Sequence, residues 1–344
     1  TSTNFSDTSA IASGSWQMYG IKFNTTDGDL ELSQHSTSYD IGNASYDSKK
    51  FDVSILHSNV TDVFIKSDGT KIYITGTSAD RIQRYGLSTA YDVTTAYGDG
   101  NLSVSSQDTG PEGIWMSPNG VYMFMVGTQN DNIYRYTMST PYDIGTGSYN
   151  NNFSLGSQAT NPTGVAFATD GTKFYVCCNV TTAIYQYTCT TAFDLTTASY
   201  ASKTLSLSGT IPNVQNIRIK DDGTQIYVSD TDNDKIHVID LSTAYDLATA
   251  TISSVEFNTA TSGAAHPAGF DISADGKKMY IVDSVDDDIY QYTVGSQLIP
   301  TGYHAVHTTT STDSTYWTDI NSMTASESAG SGNIYYCVST DDRT

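Results

Sequence analysis

The chain repeats itself, and that constrains its fold more than any other feature. An Asp-Gly or Asn-Gly dipeptide precedes an apolar run at Asp68-Gly69-Thr70-Lys71-Ile72-Tyr73-Ile74, at Asn119-Gly120 with Phe124 beyond it, and at Asp170-Gly171-Thr172-Lys173-Phe174-Tyr175-Val176. It returns at Asp222-Gly223 and at Asp275-Gly276, so the glycines at 69, 120, 171, 223 and 276 step by 51, 51, 52 and 53 residues. A second marker keeps the same step: Tyr39-Asp40, Tyr91-Asp92, Tyr142-Asp143, Phe193-Asp194 and Tyr245-Asp246. Two independent markers in one period exclude coincidence, and a period of this length means a series of equivalent supersecondary units.

Each unit reads as four strands. The first is a continuous apolar run (Val63-Phe64-Ile65, Gly164-Val165-Ala166-Phe167, Ala268-Gly269-Phe270), as in a strand buried on both faces. The Asp-Gly turn supplies the positive φ of a tight hairpin. A second strand follows (Lys71 to Ile74), then a polar turn with Asp80, Asp131, Asp234 or Asp287, then a third strand such as Ile82–Tyr85 or Ile289–Tyr292. The fourth strand alternates, as in Phe51-Asp52-Val53-Ser54, Leu102-Ser103-Val104-Ser105 and Val255-Glu256-Phe257-Asn258, which gives it one wet face and an outer position. A sheet of this kind cannot bury itself alone, and radial stacking solves that. The expected fold is therefore all-β: a single β-propeller over residues 1–344, with complete blades within 51–300. Segments 1–50 and 301–344 contribute a closing sixth blade built from both termini. Tyr19–Phe23 and Asn333–Val338 compete for one strand of that blade, and Tyr303–Thr308 stands in fourth-strand register; five or seven blades stay open.

Charge narrows the function. Sixteen Lys and Arg against 37 Asp and Glu leave a formal charge of −21, which repels phosphate backbones, so no nucleic-acid partner is expected. No apolar run approaches the roughly 20 residues of a membrane span. The chain opens on Thr1 without an initiator Met or a secretory apolar segment, which reads as a processed product or a piece of something longer. Cys177, Cys178, Cys189 and Cys337 show neither zinc nor disulfide spacing and are expected to be inert, buried thiols.

The pattern of Pro-x-Gly-apolar, Asp-Gly-Thr-Lys-x-Tyr-Val and x-Ile-Tyr-Gln-Tyr-Thr resembles the lactonase-like and NHL classes of propeller repeat. The linker Leu87-Ser88-Thr89-Ala90-Tyr91-Asp92-Val93 with Leu102-Ser103-Val104-Ser105-Ser106-Gln107-Asp108 is similar to repeats in marine phage tail-fibre and virion proteins and in marine bacterial surface proteins. The tail from Trp317 to Thr324 and from Tyr335 to Thr344 is similar to segments that follow such propellers in marine viral proteins.

Chemistry-bearing positions are sparse. The residues after each blade's first Pro or its equivalent, Thr61, Glu112, Thr163, Asn213 and Ala268, are placed at the axis and form no metal cage. Asp230, Asp232 and Asp234 alternate as in a calcium loop, with Asp283 and its neighbours one blade on, but lack the Gly and Glu of an EF-hand, so a solvated acidic hairpin is preferred and calcium is the sole cofactor considered. His35, His57, His237, His266, His304 and His307 share no ligand geometry. The recurring Tyr residues read as inter-blade packing with the hydroxyl reaching a partner; Trp16, Trp115 and Trp317 are the better ligand candidates. The expected function is accordingly non-enzymatic: a structural and adhesive module on a virion (tail fibre or appendage) or an extracellular surface. It would bind other virion or surface proteins, a host receptor or a glycan through rim loops, as an oligomer without membrane insertion. The alternatives are a lactonase- or esterase-like hydrolase and a bacterial cell-surface adhesin.

Overall fold

The computed structural model describes residues 38–295 and the backbone of two further strands, β1 (Tyr19–Phe23) and β2 (Leu30–Gln34), which pair as a hairpin. That hairpin belongs to a unit separate from residues 36–298. In the larger unit the turn glycines at 69, 120, 171, 223 and 276 have φ between +69° and +72°, a region that L-residues enter only at a cost. Each turn joins the first two strands of a four-stranded antiparallel sheet. The first sheet is β4 (Val60–Ile65), β5 (Lys71–Gly76), β6 (Arg81–Leu87) and β7 (Ala96–Ser103). The second is β8 (Pro111–Met116), β9 (Tyr122–Gly127), β10 (Asn132–Met138) and β11 (Gly147–Ser154). The third is β12 (Pro162–Phe167), β13 (Lys173–Cys178), β14 (Ala183–Cys189) and β15 (Ala198–Ser206). The fourth is β16 (Val214–Ile219), β17 (Gln225–Asp230), β18 (Lys235–Leu241) and β19 (Ala250–Asn258).

The fifth sheet closes the ring. Its strands β20 (Pro267–Ile272), β21 (Lys278–Asp283) and β22 (Asp288–Thr293) are completed by β3 (Ser45–Asp52), which pairs antiparallel with β22. The inner strands then meet in a cycle: β4 packs on β8, β8 on β12, β12 on β16, β16 on β20, and β20 on β4. Where the sequence suggested six blades, the described residues close a ring with five. The alternating strand near Phe51 serves as the outer strand of the last sheet, the place assigned above to Tyr303–Thr308. A closing blade drawn from both ends of the ring does form. The remaining segments expected in a sixth blade lie outside the described residues. No helix among the described residues is long and apolar enough to cross a membrane.

The two repeat markers turn out to be one device. In every blade the amide of the marker aromatic donates to the carbonyl of the turn glycine: Tyr39 to Gly276, Tyr91 to Gly69, Tyr142 to Gly120, Phe193 to Gly171 and Tyr245 to Gly223, at 2.8–2.9 Å. The ring then lies on the glycine, so closely that a Cβ on Gly120 would stand 2.2 Å from the Tyr142 ring. In four of the five blades the marker Asp turns inward to the chain and accepts the amide two residues on, as Asp92 does from Thr94 and Asp246 from Ala248, whereas Asp40 makes no such cap. It is also gripped from the preceding blade, in the pairs Lys49–Asp92 (2.7 Å), Arg84–Asp143 (2.5 Å), Arg135–Asp194 (3.4 Å) and Lys203–Asp246 (2.7 Å). Hydroxyls of Tyr73, Tyr175, Tyr227 and Tyr280 donate to the carbonyl of the next blade's marker Tyr at 2.6–3.2 Å, the inter-blade role read from their recurrence. Gly120→Ala combines left-handed strain with displacement of the Tyr142 ring and is expected to cost about 2 kcal/mol. Gly209, with open space around its Cβ position, is the control, and Gly209→Ala should shift the urea midpoint very little.

Candidate functional site

Every inner strand carries a β-bulge at the same place. Register skips between Val60 and Asp62, Pro111 and Gly113, Pro162 and Gly164, Val214 and Asn216, and Pro267 and Gly269. A bulge leaves one residue unpaired and re-aims its side chain. The bulged residues are Thr61, Glu112, Thr163, Gln215 and Ala268, so four of the five axial positions read from sequence are correct. The fourth blade contributes Gln215 rather than Asn213, because Val214 pairs with Asp230 as Pro267 pairs with Asp283. Asn213 lies two residues upstream, where it accepts from Gln215 (2.8 Å) and donates to Asp232 (3.0 Å). Thr61 and Thr163 donate their hydroxyls to backbone carbonyls of the next inner strand, at Glu112 (2.8 Å) and Val214 (3.3 Å).

One residue further on, the strands nearly touch. A Cβ on Gly269 would stand 2.4 Å from the Asp62 Cα, and one on Gly164 would stand 2.9 Å from the Asn216 Cα. At the centre of this ring lies Arg218, 5% exposed, between Asp62 (0%) and Asp271 (6%). Its Nε donates to Asp271 Oδ1 at 3.0 Å, Nη1 to Asn216 Oδ1 (3.0 Å) and Ile217 O (2.9 Å), and Nη2 to Asp62 Oδ1 (2.8 Å) and Val63 O (2.6 Å). A guanidinium has five N–H donors, and all five are taken. The carboxylates reach back to the strands: Asp62 accepts from Val63 N and Ile114 N, and Asp271 from Ile65 N and Ile272 N. Arg218 thereby ties the first, fourth and fifth blades together, and Asp62 adds the second through Ile114 N. Two carboxyls against one cation leave a charge surplus in a dry site, and burial pushes the Asp271 pKa up to about 6 and the Asp62 pKa upward. This arrangement bolts the axis shut. Sequence reading missed it because Asp62, Arg218 and Asp271 occur once each and break the repeat. The available signal was a charge inside strands otherwise buried on both faces.

Glu112 is a different kind of carboxyl. The residue keeps part of its surface in solvent, and no hydrogen bond reaches its carboxyl from the described residues. Burial pushes its pKa up to about 8, with repulsion from Asp108 and Asp62 adding to the shift. Asp108 itself is held by the amides of Gly110, Gln129 and Asn130 and by the Tyr134 hydroxyl. At the opposite mouth, above Arg218 and Asp271, a cavity of about 130 Å³ is walled by Phe64, Trp115 and Phe167. Trp115 is 8% exposed and stacks on Phe167 with centroids 5.1 Å apart.

The other sequence candidates stay scattered. Asp230 accepts from the Asp232 amide (3.1 Å) and Asn233 Nδ2 (2.7 Å), while the Asp234 carbonyl accepts from Thr259 (2.8 Å). Among the described residues no three His, Cys, Asp or Glu side chains are grouped to hold a metal ion. His237 lies 3.6 Å from both Asp230 and Glu256, His57 is buried with neither ring nitrogen partnered, and His266 donates its amide to Asp283 (2.9 Å). Cys177, Cys178 and Cys189 are buried free thiols, with burial pushing Cys177 to about 12 and Cys189 to about 11. His35, His304, His307, Trp16, Trp317 and Cys337 lie outside the described residues.

Four-stranded blades around a solid charged axis, with a perturbed carboxyl at one mouth, define a β-propeller that carries titratable groups where its inner strands converge. Residues 114–302, more than half of the chain, match the family described as Lactonase, 7-bladed beta-propeller, and the chain belongs to that family. No curated protein is significantly similar to it. Solved structures of similar fold include a protein of unknown function from Desulfotomaculum acetoxidans (12% identity, 77% of this chain and 69% of that one, TM-score 0.43). A proposed 6-phosphogluconolactonase from Bacteroides uniformis has 14% identity over 84% of this chain and 90% of that one, with TM-score 0.44. Hydrazine synthase from Kuenenia stuttgartiensis has 11% identity over 70% and 97%, with TM-score 0.41. Likenesses this distant do not bear on function. Family membership does: it overturns the expectation of a non-enzymatic adhesive module and favours the lactonase- or esterase-like alternative, an enzyme. None of these likenesses is to a phage tail fibre.

Proposed function

We propose that the protein is a lactonase-type hydrolase whose base is Glu112. The observation that carries this reading is an axial carboxyl on a half-buried residue, reached by no hydrogen bond from the described residues and with its pKa raised to about 8, in a chain of the lactonase family. The ionised Glu112 takes a proton from water, and the water oxygen attacks the lactone carbonyl carbon. The ring C–O bond breaks, and the proton passes to the departing alkoxide, giving the open hydroxy acid. Only the carboxylate is competent, so kcat/KM should rise with pH and level off above about 8. Glu112→Gln should lower kcat by about 10²–10⁴-fold and abolish that pH dependence while leaving the urea midpoint close to wild type. Turnover of a lactone panel checks both, and an undiminished Glu112→Gln enzyme assigns the base elsewhere. A virion or extracellular location is part of the proposal, supported by the resemblance of the repeats to those of phage and marine surface proteins, and fractionation of the source organism tests it.

A further inference from the structure

We infer that the substrate is an uncharged lactone and that phosphorylated lactones are turned away at the Glu112 mouth. The inference rests on that mouth being the active site, as proposed above. Each inner strand starts beside the end of its hairpin partner, as Val60 pairs with Gly76, so two sets of connections share that face. One set enters the inner strands at residues 53–59, 104–110, 155–161, 207–213 and 259–266; the other is the turns at 77–80, 128–131, 179–182, 231–234 and 284–287. These ten connections contain seven aspartates, Asp108, Asp131 and Asp232 among them, and no Lys or Arg. Cations at that end of the sheets lie on third and fourth strands and are already engaged: Arg81 donates to Leu56 O, Lys235 pairs with Glu256 (2.5 Å) and Lys50 with Asp288 (2.6 Å). Of the two imidazoles in these connections, His57 is buried, and burial with Arg81 beside it pushes its pKa down to about 4; His266 is exposed, with its backbone amide donating to Asp283. The opposite face is unlike it, with Lys66, Lys220 and Lys277 in its turns.

A phosphate monoester carries about −1.5 to −2 charges near neutral pH and is normally held by arginine, lysine or a nest of amides. Here it would approach an ionised Glu112 through a ring of like charge, with no described cation to receive it. The Gln215 and Asn213 amides each spend one N–H, on Asn213 and on Asp232, and the second N–H of each is a neutral donor suited to hydroxyl or carbonyl oxygens instead.

The test compares kcat/KM for gluconolactone and for its 6-phosphate with the full-length protein, at about 20 mM and about 500 mM salt, where the screening length falls severalfold. The neutral lactone should be favoured about tenfold or more at low salt, and the gap should narrow severalfold at high salt as screening weakens the repulsion. Equal rates, preference for the phosphate, or a gap indifferent to salt overturns the inference and leaves the hydrolase reading standing. If neither compound is opened, the hydrolase reading falls and takes this one with it.

Discussion

Arg218→Met should lower the free energy of unfolding by about 3–5 kcal/mol, because it strips the cation from two carboxylates that remain buried. The charge surplus gives the loss a pH signature. Burial holds the folded-state Asp271 pKa at about 6, above the roughly 3.9 of an unfolded chain. A raised pKa means that this group's contribution is fully present below about pH 4 and is lost as pH rises through about 6. Without the guanidinium both carboxyls are driven further toward the protonated form, so the penalty of Arg218→Met should be larger at pH 8 than at pH 5. Adding Asp62→Asn and Asp271→Asn removes the surplus and should recover part of the loss, a non-additivity expected of groups in direct contact. Urea titrations at the two pH values measure this. A variant as stable as wild type at pH 8 would show that the axis holds without its bolt.

The outer ledges of the ring respond to pH in the opposite sense. Hydrogen bonds from Lys49, Arg84 and Lys203 hold the Asp92, Asp143 and Asp246 carboxyls below the usual carboxylate range. Their contribution is present above the unfolded pKa and is lost as pH falls through the folded value. Stability should therefore decline on both sides of a mildly acidic optimum, with blade-to-blade contacts limiting it at low pH and the axis at high pH. Melting temperatures between pH 3 and pH 8 read the two limbs, and Asp92→Asn should flatten only the acid one.

What recurs in this chain was legible, and what occurs once was not. The glycine and Tyr-Asp markers announced the blades because turn chemistry and strand alternation are local. That the marker ring lies on the marker glycine is a contact across about twenty residues in four blades and across the ring closure in the fifth, invisible to periodicity though implied by the shared step. The partner of the Phe51 strand was not legible: the strand was recognised, but it pairs with β22, more than two hundred residues away, and nothing local in an alternating strand names its partner. The Asn213 assignment failed through a two-residue offset in the loop before β16, where the Pro that marks the second, third and fifth blades is displaced to Pro212. The bolt of Asp62, Arg218 and Asp271 escaped because repeat reasoning averages over blades, whereas an axis is the one place where the blades must differ. Five identical charged side chains there would repel, and one arginine shared among blades is a solution only an asymmetric ring permits. The adhesive reading had its own cause, since surface acidity describes what the protein repels and not what its axis does.

Removing β3 should be the most damaging change to the ring outside its axis. This strand supplies Asp47, which accepts from Lys278 Nζ (2.7 Å), Gln291 Nε2 (2.8 Å) and Thr293 Oγ1 (2.6 Å), and Lys50, which pairs with Asp288. It also brings Tyr46 against Tyr292, with centroids 5.5 Å apart, and Phe51 against Tyr85 of the first blade at 5.3 Å. A chain beginning at Ser54 loses these contacts together with the Tyr39–Gly276 bond, and exposes the edge of β22, a ready template for pairing with another molecule. At about 1 kcal/mol per net hydrogen bond the loss is on the order of 5 kcal/mol, or a fall in Tm of about 10–20 °C. A chain beginning at Thr37, which keeps β3, is the control and should melt close to wild type. A peptide spanning residues 44–53 should restore the melting temperature of the shorter chain in a concentration-dependent way, since the β22 edge accepts a strand supplied in trans as it does one in cis. If the chain beginning at Ser54 melts like the control, or the peptide has no effect on it, the ring is not closed through β3.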